Sequence, residues 1–468
     1  MITWAAMNQA AAHPRVAADA FVMGQIARWL YYHATYNGHG YKDAQDADGA
    51  DIMVGLPGEP AVKRALRKQL ARWPWQVRAA VNVHVDSVYT EGVARQHEAR
   101  QDVLDEFMRD VDLRGGTLDE FMARAAASAA TFGIAPIGID LWTPLSAPVT
   151  RAAEVAAGNR PYLLMVSPLM LRRLTRDPLT GAVLSITFIE RCEKRGDEMI
   201  VSAVEWTPET WTRLDGHGVM TAEGVNSFGF VPFVLAEYGE GLSLVGQLAD
   251  IAKELFNLDA AWATANAYVS DPTLVLTGVG GTDREAEAKL ATGVARAIQL
   301  PEGDAKYLQV DPSYAANYEK RRDVLMQDFR QAARLQSTMA LESRAPVSGL
   351  SRSFDFRETS KALAYLARRM EHAERSVLRI WARAVMIDDQ QFTITYPQDF
   401  GIDSLETRTA ELLAFLDLGW PRDVEQAARI AYLRRHPDFD DNPEIGVFEK
   451  SVLADERPAP TTGFDLGF

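Results

Sequence analysis

Apolar residues recur in steps of three and four along three long stretches of the chain. From Ser243 to Val269 the stripe is Leu244, Leu248, Ile251, Leu255, Leu258, Trp262, Ala265 and Val269, which is one face of an α-helix, and Ser243 can cap its start. Asn317 to Leu335 sets Leu325, Phe329, Ala332 and Ala333 on one side, with Lys320, Asp323, Gln327, Arg330 and Arg334 on the other. A third run, Phe356 to Val385, carries Leu363, Leu366, Met370, Ala373, Val377, Ile380 and Ala384 without a Gly or Pro. It predicts a long helix packed along other helices. Gln336 to Ser353, between the second and third runs, holds Pro346, Gly349 and five serines and keeps no period. A loop between two rods is expected there.

The first two rods are joined by a short mixed segment. A strand at Thr273–Thr277, a Gly-rich turn, a helix at Arg284–Leu290, a strand at Ala297–Leu300 and a strand at Tyr307–Val310 are predicted. So small a core needs neighbouring elements or chains for stability. Upstream, Phe21, Ile26, Trp29 and Leu30 predict a helix over Ala17–Tyr36, followed by a surface loop in the Gly- and Asp-rich stretch after it. A basic helix at Val62–Arg72 and helices at Gln76–Tyr89 and Gln101–Val111 come next. Gly115 and Gly116 stop the last of these, and Thr117 with Glu120 forms a capping box for another. Beyond Ala135 the period changes to short β-branched and aromatic runs, IGIDLW, YLLMVS, AVLSITFIER, EMIVSAVEW, TWTRL and FGFVPFVLAEYG, read as one antiparallel sheet. A strand at QFTITY and helices at Leu405–Leu418 and Val424–Arg435 precede a weakly ordered tail. The predicted class is α+β, mainly helical.

At 468 residues and 47% hydrophobic composition the chain can bury several cores. One cysteine, Cys192, excludes an internal disulfide and a cysteine-based zinc site. No apolar run reaches membrane-span length and no export signal is legible at the N-terminus, so a soluble, unexported protein without a membrane partner is expected. A net charge of −15 argues against tight nucleic-acid binding, yet it permits a wall that DNA slides past.

Motifs for chemistry are weak. The turn Gly278–Asp283 sits where a phosphate loop would, but matches no such loop and has no lysine at the start of the helix that follows; it reads as a flexible turn. Asp438, Asp440, Asn442 and Glu449 fall at calcium-loop positions, but Pro443 occupies the place of the required glycine, so a solvated acidic turn is favoured over a metal site. His97-Glu98 and His372 with Glu374 read as exposed helical residues rather than ligands. There is no nucleophile elbow and no HExxH pair. The expectation is no enzyme and no cofactor.

The order of parts is informative as a whole. DVDLRGGTLDEF and RPYLLMVSP lead to FGFVPFVLAEYG, then to a long helix ending in DPTLVLTG, a small αβ insert, a second helix, a loop with Ser348-Gly349 and a long third helix. This succession resembles the portal proteins of tailed bacteriophages over about residues 20 to 400. The resemblance implies a portal fold: wing at 1–240, stem helix at 241–269, clip at 270–316, second stem helix at 317–335, tunnel loop at 336–355, long wing helix at 356–388, and a C-terminal strand with crown helices at 389–468. It further implies a homo-oligomeric ring of roughly twelve subunits at a capsid vertex, passing double-stranded DNA. Implied partners are the large terminase subunit, a head-completion adaptor, scaffold and major capsid protein. The implied location is the virion's portal vertex, after assembly in the host bacterial cytoplasm. By position, Ser337, Met339, Glu342, Arg344, Ser348 and Arg352 would face DNA from the tunnel loop, and Arg284, Glu285 and Lys289 would meet the terminase from the clip. Twelve such chains would sum to about −180 around the DNA, favouring passage over binding. A polymerising scaffold or connector of a phage head, without DNA passage, and an enzyme on a helical scaffold are the competing classes; native mass and nucleotide or metal binding respectively separate them from a portal.

Overall fold

The computed structural model describes residues 4–90, 92–141, 160–196, 198–239, 242–270, 273–277, 297–300, 305–308, 313–335, 349–398, 400, 425–426 and 429–430. The chain forms two compact units, Met1–Phe400 and Gly401–Phe468; in the second, residues 425–426 and 429–430 are helical. The helices predicted at Leu405–Leu418 and Val424–Arg435 otherwise fall outside the described residues.

Local signals set the ends of the first helices. After α1 (Trp4–Ala10), α2 (Ala20–Asn37) begins where the Asp19 carboxylate accepts from the Val22 amide at 2.8 Å, and it stops at Gly38 in the left-handed region. Helices α3 (Ala61–Leu70), α4 (Gln76–Thr90) and α5 (Gln101–Arg109) follow, with a short strand β1 (Ala94–His97) between the last two. Helix α6 (Leu118–Phe132) starts with the expected capping box, both halves formed by Thr117 and Glu120, and ends at Gly133 (φ 90°). The stretch after α2 departs from its polar composition. Tyr41, Ile52 and Met53 are buried and form a core with Phe256, Ala249 and Ala260. Apolar residues isolated among Gly and Asp carry no period, so sequence patterning gave a surface loop.

One antiparallel sheet was expected, and two occur. β2 (Ile134–Leu141) lies between β3 (Pro161–Met165) and β9 (Phe233–Glu237), both antiparallel to it. Gly138 of β2 lets the strand meet β9 closely, since a Cβ there would lie 2.6 Å from the Phe233 ring. The other sheet is a meander of β4 (Leu171–Arg176), β5 (Val183–Arg195), β6 (Glu198–Trp206), β7 (Thr210–Asp215) and β8 (Met220–Val225). β4 and β8 carry no strand signal in the sequence, because LRRLTR and MTAEGV lack the apolar alternation of a half-buried strand. A core containing Val22, Ile26 and Trp29 of α2 joins this meander to Phe233.

The three rods appear as α7 (Leu244–Ser270), α8 (Ser313–Ala333) and α9 (Gly349–Val385). Between α7 and α8 stand β10 (Thr273–Thr277), β11 (Ala297–Leu300) and β12 (Ala305–Leu308), with β10 central, parallel to β11 and antiparallel to β12. β12 lies two residues earlier than predicted. Strand β13 (Phe392–Thr395) follows α9 and pairs antiparallel with β1, Ala94 opposite Thr395. The main core gathers α4, α6, β2, the root of α7, the end of α8 and the middle of α9. No described helix is long and apolar enough to cross a membrane.

Candidate functional site: the helical hairpin and the long helix

Helix α7 begins where the Gly246 amide donates to Ser243 Oγ at 2.7 Å, as its sequence predicts. Its first half is buried on two sides. Leu244, Val245, Leu248, Ala252 and Leu255 enter the main core, while Ala249, Phe256 and Ala260 cover Tyr41 and Met53. In α8 the burial is reversed: Leu325, Phe329 and Ala333 are buried near its end, whereas Tyr314, Asn317, Glu319 and Lys320 near its start are exposed. The two helices therefore form a hairpin rooted in the core. Its distal half is held by its own contacts. The Trp262 indole stacks on Tyr318 at 4.4 Å between centroids and on Tyr314 at 5.6 Å. Such pairs contribute about 0.5–1.5 kcal/mol each beyond area burial. Tyr318 donates to Asp259, Arg322 lies 3.7 Å from the same carboxylate, and Arg321 pairs with Glu254.

The end of α8 is a fixed corner. Arg334 adopts the left-handed region (φ 53°), and the Leu335 amide reaches back to the Arg330 carbonyl at 3.0 Å, a Schellman-type stop formed without glycine. Two side chains clamp it. Thr359 Oγ1 of α9 donates to the Arg334 carbonyl at 2.8 Å, and His84 Nε2 of α4 bonds the Ala333 carbonyl at 2.9 Å. A carbonyl only accepts, so His84 carries its proton on Nε2. Burial holds this imidazole below its ordinary pKa, outweighing the hydrogen bond that favours protonation.

Helix α9 is anchored through a buried polar network. Glu374 is fully buried, and it accepts from Arg95 Nε and from Arg95 Nη2, the latter at 3.1 Å. The Tyr396 hydroxyl donates to Glu374 at 2.5 Å and meets the Tyr89 hydroxyl at 3.3 Å, while Arg95 Nη1 also lies 2.7 Å from Asp119. One carboxylate thus ties α9 to β1, to the chain after β13 and, through Arg95, to the start of α6. Sequence reasoning assigned Glu374 and His97 to an exposed surface, and both are buried. His97 lies on β1, with Nε2 bonded to the Asp388 carbonyl at 3.1 Å and Nδ1 accepting from the Ala99 and Arg100 amides. The legible sign for Glu374 was its place one residue after Ala373 and three before Val377, inside the apolar stripe.

The third rod starts earlier than the serine- and glycine-rich composition of its N-terminal stretch suggests. α9 starts at Gly349, so Arg352 is helical and not part of a loop; a Gly in the first turn is tolerated because the helix N-terminus lacks intrahelical partners for its amides in any case. Ser337, Met339, Glu342, Arg344 and Ser348 lie outside the described residues, as do Arg284, Glu285 and Lys289, and Asp438, Asp440, Asn442 and Glu449. Among the described residues no group of three His, Cys, Asp or Glu side chains is placed to hold a metal.

No protein-family model matches the sequence, and no curated protein matches it. Solved structures do. The chain is similar to a component of the virion of a native gene transfer agent particle, at 14% identity and TM-score 0.41, over 76% of this chain and 89% of that one. It is also similar to chains in the neck of an empty gene transfer agent particle computed with C6 symmetry (14%, TM-score 0.41, 84% and 94% covered) and in the neck of the native particle computed with C12 symmetry (14%, TM-score 0.38, 83% and 93%).

Proposed function

We propose that the chain is a portal subunit: a non-catalytic protein that assembles into a ring at a capsid vertex, through which double-stranded DNA enters and leaves. The carrying observation is the hairpin of α7 and α8, rooted in the core, bearing a three-stranded sheet at its tip and followed by the long anchored helix α9. This supports the order of stem, clip, stem and long helix that the sequence resemblance implies. A hairpin whose distal half is held by few contacts of its own suits a rod completed by identical neighbours. In this reading β10–β12 form the clip that docks the terminase and later the head-completion adaptor, and the segment between α8 and α9 is the tunnel loop.

Native mass tests the proposal. A ring of roughly twelve chains of 51.8 kDa should be near 620 kDa and should show a central hole when imaged. A monomer at micromolar concentration would refute it.

A further inference from the structure

The outer face of α9 is cationic although the chain as a whole is acidic. Lys361, Tyr365, Arg368, His372, Arg379 and Arg383 are exposed and recur in steps of three, four and seven, one stripe along the helix. Between Lys361 and Arg383 the helix has six Lys and Arg against two carboxylates, one of them the buried Glu374. Arg369, Arg375 and Arg383 are neutralised by Glu237, Glu371 and Asp389. Lys361, Arg368 and Arg379 form no close ion pair among the described residues: Arg368 meets the neutral Gln398, and Arg379 acts on the Asp389 carboxylate only at longer range.

The opposite side of the same helix leads to the reverse charge. At about 100° per residue Trp381 faces away from His372, and it stacks on Phe107 of α5 at 4.5 Å. α5 and its flanks form an acidic edge: eight carboxylates stand from Glu98 to Glu120, of which Asp102, Asp110, Asp112 and Asp119 are paired with Arg100, Arg160, Arg124 and Arg95. Glu98 and Glu106 are exposed and form no ion pair among the described residues. We propose that the α9 stripe of one subunit docks on the β1–α5 edge of the next copy, a head-to-tail contact between two different faces, which is the kind that closes into a ring.

This rests on the ring reading and adds which faces meet. Three unpaired cations are few for a duplex, whose binding grows with the number of phosphates neutralised, but they match a short acidic edge. Contacts of this kind set register and exclude wrong pairings, and they weaken with salt.

A charge swap on the full-length chain tests it, with native mass and circular dichroism as readouts. R368E/R379E and E98K/E106K should each lower assembly by at least about tenfold at 0.15 M salt, with helicity unchanged, and the four substitutions together should restore ring mass. Failure of the combined variant to assemble while folded overturns the contact. Variants that keep ring mass also overturn it; should R368E/R379E then lose retention of duplex DNA, the stripe is a DNA surface. A monomeric wild type overturns the ring reading itself, whereas an assembled wild type with unaffected variants overturns this contact alone.

Discussion

Substituting Glu374 isolates the anchor of the long helix. Glu374→Leu removes an acceptor for two Arg95 donors and the Tyr396 hydroxyl, all inside the core. Breaking a buried pair by deleting one partner costs about 3–5 kcal/mol, because the other charge is left uncompensated. Arg95 keeps Asp119 at 2.7 Å, and that carboxylate is about half exposed, at 47%. The loss should therefore fall at the lower end, about 3 kcal/mol. Arg95→Met alone should cost a similar amount, since Glu374 would be stranded with a hydroxyl as its remaining donor.

The double variant separates the network's stability from its geometry. With both charges gone no ion is left buried, and Met beside Leu fills most of the vacated volume, so Arg95→Met/Glu374→Leu should cost only about 1–2 kcal/mol, well short of the sum of the singles. Urea denaturation followed by tryptophan fluorescence is a suitable assay, Trp381 lying on the same helix. Protein concentration must be held fixed, because assembly adds stability by mass action. A single-variant loss under about 1 kcal/mol, or additive losses in the double variant, would refute the assignment of Glu374 as the anchor.

His84 makes a pH-dependent contribution of predictable sign. Its folded pKa is depressed, so the unfolded state binds the proton more readily; the stability it supplies is complete above about pH 6.5 and is lost as pH falls toward its folded value. Urea midpoints at pH 7.5 and 5 should differ more for the wild type than for His84→Gln, whose amide can still donate to Ala333; equal differences would rule this out. Trp262→Ala should leave the core intact and loosen the distal hairpin, seen as hydrogen exchange in 258–267 and 314–322 faster by about tenfold or more. Unchanged exchange there would mean that the stacking with Tyr314 and Tyr318 does not hold the rods together. Deleting residues 340–348 should preserve ring mass and reduce the DNA packaged per particle; rings that fail to form would show that this segment makes subunit contacts instead. Reversing Arg284 and Lys289 to Glu should weaken terminase pull-down with ring mass unchanged, and undiminished pull-down would remove them from that interface.

The rods were legible because each repeats its apolar positions over many turns, and periodicity summed over a long window outweighs local exceptions. Caps were legible too, Thr117 with Glu120 and Ser243 acting as their types suggest. What escaped shares one physical cause. The β1–β13 ribbon, the burial of Tyr41 and Met53 against Phe256 and the Glu374–Arg95 network all join residues far apart in sequence, and no partner shows its pairing locally. The start of α9 was missed for a different reason. Serines and Gly349 favour turns locally, but a helix of this length, packed along the core, overrides the propensity of its first turns.

The two faces of α9 explain why its sequence looks ambiguous. A long helix with six cations between Lys361 and Arg383 would be disfavoured beside a cationic neighbour, yet its inner face must also bury Leu366, Met370, Val377 and Trp381. Glu374 reconciles these demands. It is the one buried carboxylate among the described side chains of the helix, and its pairing with Arg95 fixes the rotation of α9 about its axis, because a turn of one residue would carry the charge out of reach of the guanidinium. Rotation fixed in this way also fixes where the outer stripe points. The same pair that holds the helix to the body thus sets the register of the cations offered to a neighbouring copy, so Arg95→Met/Glu374→Leu, though more stable than either single variant, should assemble less uniformly, and a native-mass distribution as narrow as that of the wild type would separate the two roles.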